Sequence, residues 1–256
     1  MPRNLSFDAH PRSSLIVALD FDSLSTALSF AKKLAGAVGM FKIGGQLFTA
    51  AGPEAVRQIA ALGPQIFLDL KFHDIPNTVA GAVMAAASLP GVQLMNIHAS
   101  GGTAMMRAAV QAISAGVPMG ADRPRLLAVT LLTSLDAKAI REVGIGGPPK
   151  TRVVKLAKLA QKSGVDGVVA SIQEAKAVRK ACGRDFLIVT PGVRWEEGVG
   201  PRKGGAKKDD QSRTATAFEA IRAGADYIVV GRPILTAPDP QAAAQKIVDE
   251  IAAAKA

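Results

Sequence analysis

Three things are scarce in this 256-residue chain: cysteine, aromatic side chains and apolar runs of membrane length. The single cysteine, Cys182, excludes an internal disulfide and fits a reducing cytoplasm. It lacks the basic or helix-start setting of a nucleophile and is read as packing. Aromatic residues make up 4% of a chain that is 48% hydrophobic. The core must therefore be built from Ala, Val, Leu and Ile, which suits helices on a parallel sheet better than a β-sandwich. No apolar run approaches the roughly 20 residues of a membrane span, so no membrane partner is expected. The opening "MPRNLSFDAHPRSS" has no apolar core of a secretory signal. Of the three histidines, His73 and His98 lack partners at metal-ligand spacing and are read as hydrogen-bonders, so no metal site is expected.

Positive charge, by contrast, is abundant: the formal net charge is +10. Such a balance suits a nucleic-acid binder or a basic enzyme with an anionic substrate. Stacking aromatics are scarce and no nucleic-acid motif is present, which favours the enzyme and no nucleic-acid partner.

Short β-type runs alternate with longer Ala-rich helical stretches. The strand candidates are 15–20, 40–44, 66–70, 92–98, 125–132, 166–171, 186–192 and 226–231. Eight strands, each followed by a helical stretch, predict an α/β fold: a (β/α)8 TIM barrel forming a single domain over 1–256. A doubly wound open sheet remains the alternative, but it would usually carry a Gly-rich turn after the first strand, where "LDFDSLS" stands instead. "REVGIGGPPKT" (141–151) should split the segment after the fifth strand into two helical pieces. "RWEEGVGPRKGGAKKDDQ" (194–211) is too long and Gly-rich for an idle connection, and a mobile loop is expected at about 195–211. Trp195, which opens it, suits either a ligand cover or a surface position.

The chemistry gathers at strand ends. In "IFLDLKFHDIPNTV" (66–79), alternation that turns Leu68 and Leu70 toward the helices turns Asp69 and Lys71 toward the barrel axis. By the same rule Asp20 and Lys42 point inward from the first and second strands. Any one of these charges could be a structural ion pair at the barrel top. Four together cost more in desolvation than pairing returns, unless function retains them. A second constellation follows strands seven and eight, where "TPGVR" places Gly192 and Arg194 and "VGRPI" places Gly231 and Arg232. Loops there commonly bind phosphate in this fold, glycine admits close backbone approach, and Pro233 suits the first position of a short helix.

These motifs resemble those of the orotidine 5′-phosphate decarboxylase family. "FLDLKFHDIPNTV" is similar to its signature, and "VALD", "FKIG", "NIHASGG", "AVTLLTS", "TPGVR" and "GRPI" extend the resemblance over nearly the whole chain. Asp-x-Lys-x-x-Asp is shared with 3-keto-gulonate 6-phosphate decarboxylase and hexulose-phosphate synthase, which hold Mg²⁺ partly through a Glu on the second strand; here that strand offers Lys42. The resemblance implies decarboxylation of orotidine 5′-phosphate to UMP with no cofactor and no metal, in a cytoplasmic homodimer. It implies that Asp20 contacts the ribose and the charge network, and that Lys42 joins both. Asp69 would lie beside the departing carboxylate and Lys71 would donate the proton. Asp74 and Thr78 would reach into the neighbouring subunit's site. Thr133 would contact the pyrimidine. Arg194, Gly231 and Arg232 would grip the phosphate, with Gln211 closing over both ends from a loop longer than in familiar bacterial members.

Overall fold

A parallel strand must be covered on both faces, and the eight strands of this chain achieve that by closing on themselves. The computed structural model describes residues 10–116, 123–193 and 215–256. Its strands are β1 (Leu15–Ala18), β2 (Met40–Gly44), β3 (Gln65–Phe72), β4 (Val92–His98), β5 (Arg125–Val129), β6 (Gly167–Val169), β7 (Leu187–Pro191) and β8 (Tyr227–Val230). They pair in parallel in chain order, and β8 returns to β1 through Leu15↔Ile228, Ile16↔Val229 and Val17↔Val230.

Alternation sorts the strand residues into two shells. Ile16, Ala18, Met40, Phe67, Leu94 and Leu127 fill the barrel interior. Their sequence neighbours Leu15, Val17, Phe41, Leu68, Met95 and Leu126 pack beneath the helices. With so few aromatic residues, the interior is aliphatic apart from Phe67 and Tyr227.

The predicted strands all form, but several end sooner than the apolar pattern does. The fifth stops at Val129 rather than Leu132, and the first at Ala18 rather than Asp20. Ladder pairing ends where the strands diverge into the upper loops, while residues such as Leu19 and Leu131 still pack on the core. The segment after β5 divides into helices Ala137–Glu142 and Pro149–Lys162, as the Gly-rich stretch predicts. A second break went unforeseen: Gly52 adopts φ 61° and is followed by Pro53, so helix Gly45–Ala51 stops and helix Pro53–Ala60 begins.

The amino-terminal rim carries the structural ion pairs. Arg123 donates to both oxygens of buried Asp166 at 2.9 and 2.7 Å, and Arg179 donates to Asp226 at 2.6 Å. Both acids also accept a strand amide, from Leu126 and Ile188 respectively. Binding chemistry is left to the opposite, carboxyl-terminal rim, as is usual in this architecture.

Candidate active site

At that rim four charged side chains form a row of alternating sign. Lys42, from the inward register of β2, places Nζ 3.2 Å from Asp20 Oδ1 and 3.2 Å from Asp69 Oδ2. Lys71 Nζ lies 2.6 Å from Asp69 Oδ1. Asp69 is buried, whereas Asp20 and Lys71 are partly exposed to the cavity above. Gly44, the next inward residue of β2, leaves room for this arrangement: a Cβ there would stand 3.0 Å from Lys42 Nζ.

Burial alone would push Asp69 toward its neutral form. The ammonium groups of Lys42 and Lys71 outweigh that and hold its carboxyl below the ordinary aspartate value. Burial likewise opposes charge on Lys42, and Asp69 and Asp20 together raise it above the ordinary lysine value. A depressed acid stabilises the fold above its unfolded pKa, about 4, and loses that contribution as pH falls through the lower folded value. A raised lysine contributes below about 10.4 and loses its contribution as pH rises through the folded value. Asp69→Asn should therefore cost about 3 kcal/mol across pH 5–9, since it leaves buried Lys42 short of a partner. The gap from wild type should shrink below about pH 4, as read by urea denaturation over a pH series. A gap unchanged at acid pH would mean that the Asp69 charge does not stabilise the fold.

Lys71 reaches its place by a distortion of the strand. Leu68 pairs with Met95 and Phe72 with Ile97, so three residues of β3, Asp69 to Lys71, stand opposite Asn96 alone on β4. Lys71 adopts φ 50°, the left-handed region, the only non-glycine to do so among the described residues. Such a backbone costs on the order of 1–3 kcal/mol and tends to occur at functional sites. Simple alternation predicts the shared side of Asp69 and Lys71; a bulge delivers it.

The row lines a cavity of about 530 Å³, within the usual range for small-ligand sites. Its floor is the aliphatic top layer of the barrel, including Ala18, Val129, Val169 and Val229. Thr133 lines one side, and Gly192, Gly231 and Arg232 line the end beyond β7 and β8. The short helix after β8 begins at Arg232, so Pro233 takes its second position rather than its first. Arg194 and Gln211, with the loop expected at about 195–211, lie outside the described residues.

Asp74 and Thr78 are not brought to this cavity. Both are exposed, and the Asp74 carboxylate accepts the Ile75 amide at 2.6 Å. Ile75 is extended (φ −58°, ψ 153°) before Pro76, as expected of a residue preceding proline, and 66% exposed. His73 and His98 lie ring against ring in a tilted arrangement, with centroids 5.3 Å apart. Burial first, then the neighbouring His73 and Lys71 charges, lowers the His98 pKa. Among the described residues no three His, Cys, Asp or Glu side chains assemble as a metal site.

Residues 13–247 match the family model described as orotidine 5′-phosphate decarboxylase / HUMPS. The chain belongs to the orotidine 5′-phosphate decarboxylase / HUMPS family. An orotidine 5′-phosphate decarboxylase of Geobacter sp. (strain M21) is 52% identical over 239 residues, 93% of this chain and 96% of that protein. One from Pelobacter propionicus is 53% identical over 242 residues, 94% of this chain and 96% of its own. The crystal structure of orotidine 5′-phosphate decarboxylase from Lactobacillus acidophilus has TM-score 0.79 and 40% identity, covering 93% of this chain and 98% of that one.

Within this family fold, sequence reasoning passed over two residues at or beneath the charged row. Gln46, on the helix Gly45–Ala51, lines the cavity and donates to Asp22 in the loop after β1. Asn96 is fully buried between Asp69 and the Lys71 backbone. A carboxamide inside the apolar run "VQLMNIH" was the available signal, because buried polar groups need partners.

Proposed function

We propose that this chain decarboxylates orotidine 5′-phosphate to UMP, in pyrimidine biosynthesis, without metal or organic cofactor, and that Lys71 is the proton donor. The observation that carries the reading is the Asp20–Lys42–Asp69–Lys71 row inside a cavity of ligand size. Curated relatives just over half identical across nearly the whole chain support the activity.

The chemistry asks for this row. When the C6–carboxylate bond breaks and CO₂ departs, the electron pair remains in an orbital at C6 that the ring cannot delocalise. Stabilising it takes a nearby positive charge and a ready proton. Lys71 supplies both: its ammonium faces the developing carbanion, its proton passes to C6, and solvent returns the proton. Asp69 keeps that ammonium aimed, and Lys42 keeps Asp69 ionised although buried. Asp20 and Lys42 contact the ribose, Thr133 the pyrimidine, and Gly231 and Arg232 the phosphate. Arg194 and Gln211 are assigned to the phosphate end from sequence alone. Binding energy from the phosphate can thus be used at the reacting carbon.

The residues present do not suit a Mg²⁺ ion of the kind used by sugar-phosphate relatives. Mg²⁺ needs oxygen ligands, and the ammonium of Lys42 already stands 3.2 Å from both Asp20 and Asp69. A divalent cation between these acids would meet that positive charge at contact distance.

We further propose a homodimer in which the extended segment at Asp74 and the helix carrying Thr78 enter the partner's site. The exposed, extended Ile75 and the absence of Asp74 and Thr78 from their own cavity lining support it. We place the enzyme in the cytoplasm, where its one cysteine stays reduced. None of the described helices is long and apolar enough to cross a membrane.

Mixing the protein with orotidine monophosphate should bleach the orotate absorbance at an undiminished rate in the presence of EDTA. Absence of turnover would overturn the activity. Loss of turnover with EDTA that Mg²⁺ restores would overturn the cofactor-free mechanism.

A further inference from the structure

We infer that Asn96 is a positioning residue for this decarboxylation, its carboxamide clamping the Asp69 carboxylate to the backbone of Lys71. The inference rests on the functional reading above. Asn96 occupies an inward position of β4, one layer above Leu94, and is fully buried. Its Nδ2 donates to Asp69 Oδ1 at 2.6 Å, and its Oδ1 accepts the Lys71 N–H at 2.8 Å. Asp69 Oδ1 is the oxygen that also receives Lys71 Nζ. One side chain therefore closes a ring through both the head and the backbone of the proposed proton donor.

The ring accounts for the strand distortion. The bulge takes Lys71 out of the β3–β4 ladder, and its N–H would be left without a partner so close to the core. The Asn96 oxygen takes the place of the missing strand carbonyl, and the left-handed Lys71 backbone turns the side chain back over Asp69. The amide can serve both partners in one orientation only, because flipping it would set its oxygen against a carboxylate and its NH₂ against an N–H. Neither leucine nor alanine could make either bond, and an ionised aspartate could make the second only.

Three proteins, wild type, Asn96→Ala and Asn96→Asp, would be compared for turnover of orotidine monophosphate and for UMP affinity. Asn96→Ala should lose about 100-fold in kcat, the scale of a misplacement of about 1 Å at the reacting group. UMP should bind it within about threefold of wild type, since Gly231 and Arg232 are untouched. Asn96→Asp retains the acceptor for Lys71. When ionised it repels Asp69, and when protonated its O–H can donate to Asp69 as the amide did. Its kcat relative to wild type should therefore rise as pH falls from about 8 to about 5, a recovery that Asn96→Ala cannot show. That relative profile decides the matter should Asn96→Ala not fold.

A folded Asn96→Ala with kcat within about threefold of wild type overturns the inference. So does a loss of UMP affinity in step with kcat, or an Asn96→Asp profile parallel to wild type. A wild-type protein that leaves orotidine monophosphate unconsumed overturns the functional reading itself, and this inference with it.

Discussion

Replacing Lys71 with alanine is expected to lower kcat by at least about a thousandfold while UMP still binds. The expectation follows from where the ammonium stands. Lys71 Nζ is 2.6 Å from Asp69 and lines the cavity, so it can face a charge that develops there only during reaction. A group that meets charge mainly in the transition state raises kcat more than it tightens ground-state binding. A thousandfold loss corresponds to about 4 kcal/mol of transition-state stabilisation. Alanine also removes the proton itself, which no other described lysine at the cavity can replace: Lys42 is held between two carboxylates. Single-turnover kinetics with orotidine monophosphate, alongside UMP titration, give the two quantities separately. A variant keeping a tenth or more of the wild-type kcat would remove Lys71 from the donor role.

The second large effect is a recovery rather than a loss. Lys71→Ala and Asp74→Ala should each be nearly inactive, yet unfolding them together and refolding them as a mixture should restore activity. If Asp74 acts in the partner's site, each mixed dimer has one site with Lys71 and Asp74 both intact. Random pairing makes half the dimers mixed, so about a quarter of all sites should work. The geometry that motivates this is local. Asp74 is exposed and absent from its own cavity lining, and Ile75 is extended before the helix that begins at Pro76. If Asp74 served its own chain, every site in the mixture would remain defective. Turnover after refolding, with subunit exchange verified by differently tagged chains, separates the two outcomes.

How much of this could be read from residues alone differs from element to element. The strands could be located because each is a short apolar run bounded by polar or glycine residues, and β2 and β4 begin and end where the pattern does. The later strands read too long, since the pattern records burial and burial continues past the last ladder bond, as at Leu131. The grouping of Asp20, Lys42, Asp69 and Lys71 was readable from period-two alternation at strand ends. Their order of alternating sign was not, because it depends on which strands are neighbours and on the β3 bulge. No glycine or asparagine marks that bulge, and lysine at φ 50° has no local cue. It persists through a partner on the next strand, Asn96, which sequence proximity does not reveal. The Asp74 segment was readable for a simpler reason: proline constrains the residue before it wherever it occurs.

The closure of β8 onto β1 has a consequence for how copies of this chain can meet. An open sheet ends in a strand whose unpaired amides and carbonyls invite pairing with any extended segment. A closed barrel has no such edge, so its backbone offers a second copy no ladder to extend. Association must then rest on side chains carried by the outer helices and loops, where shape and charge decide the fit. The exposed Ile75 and the acid beside it belong to that surface, on the same rim as the cavity. In the proposed dimer, recognition between subunits and chemistry on the substrate are thereby written in neighbouring side chains of one loop, and a substitution there should change both at once.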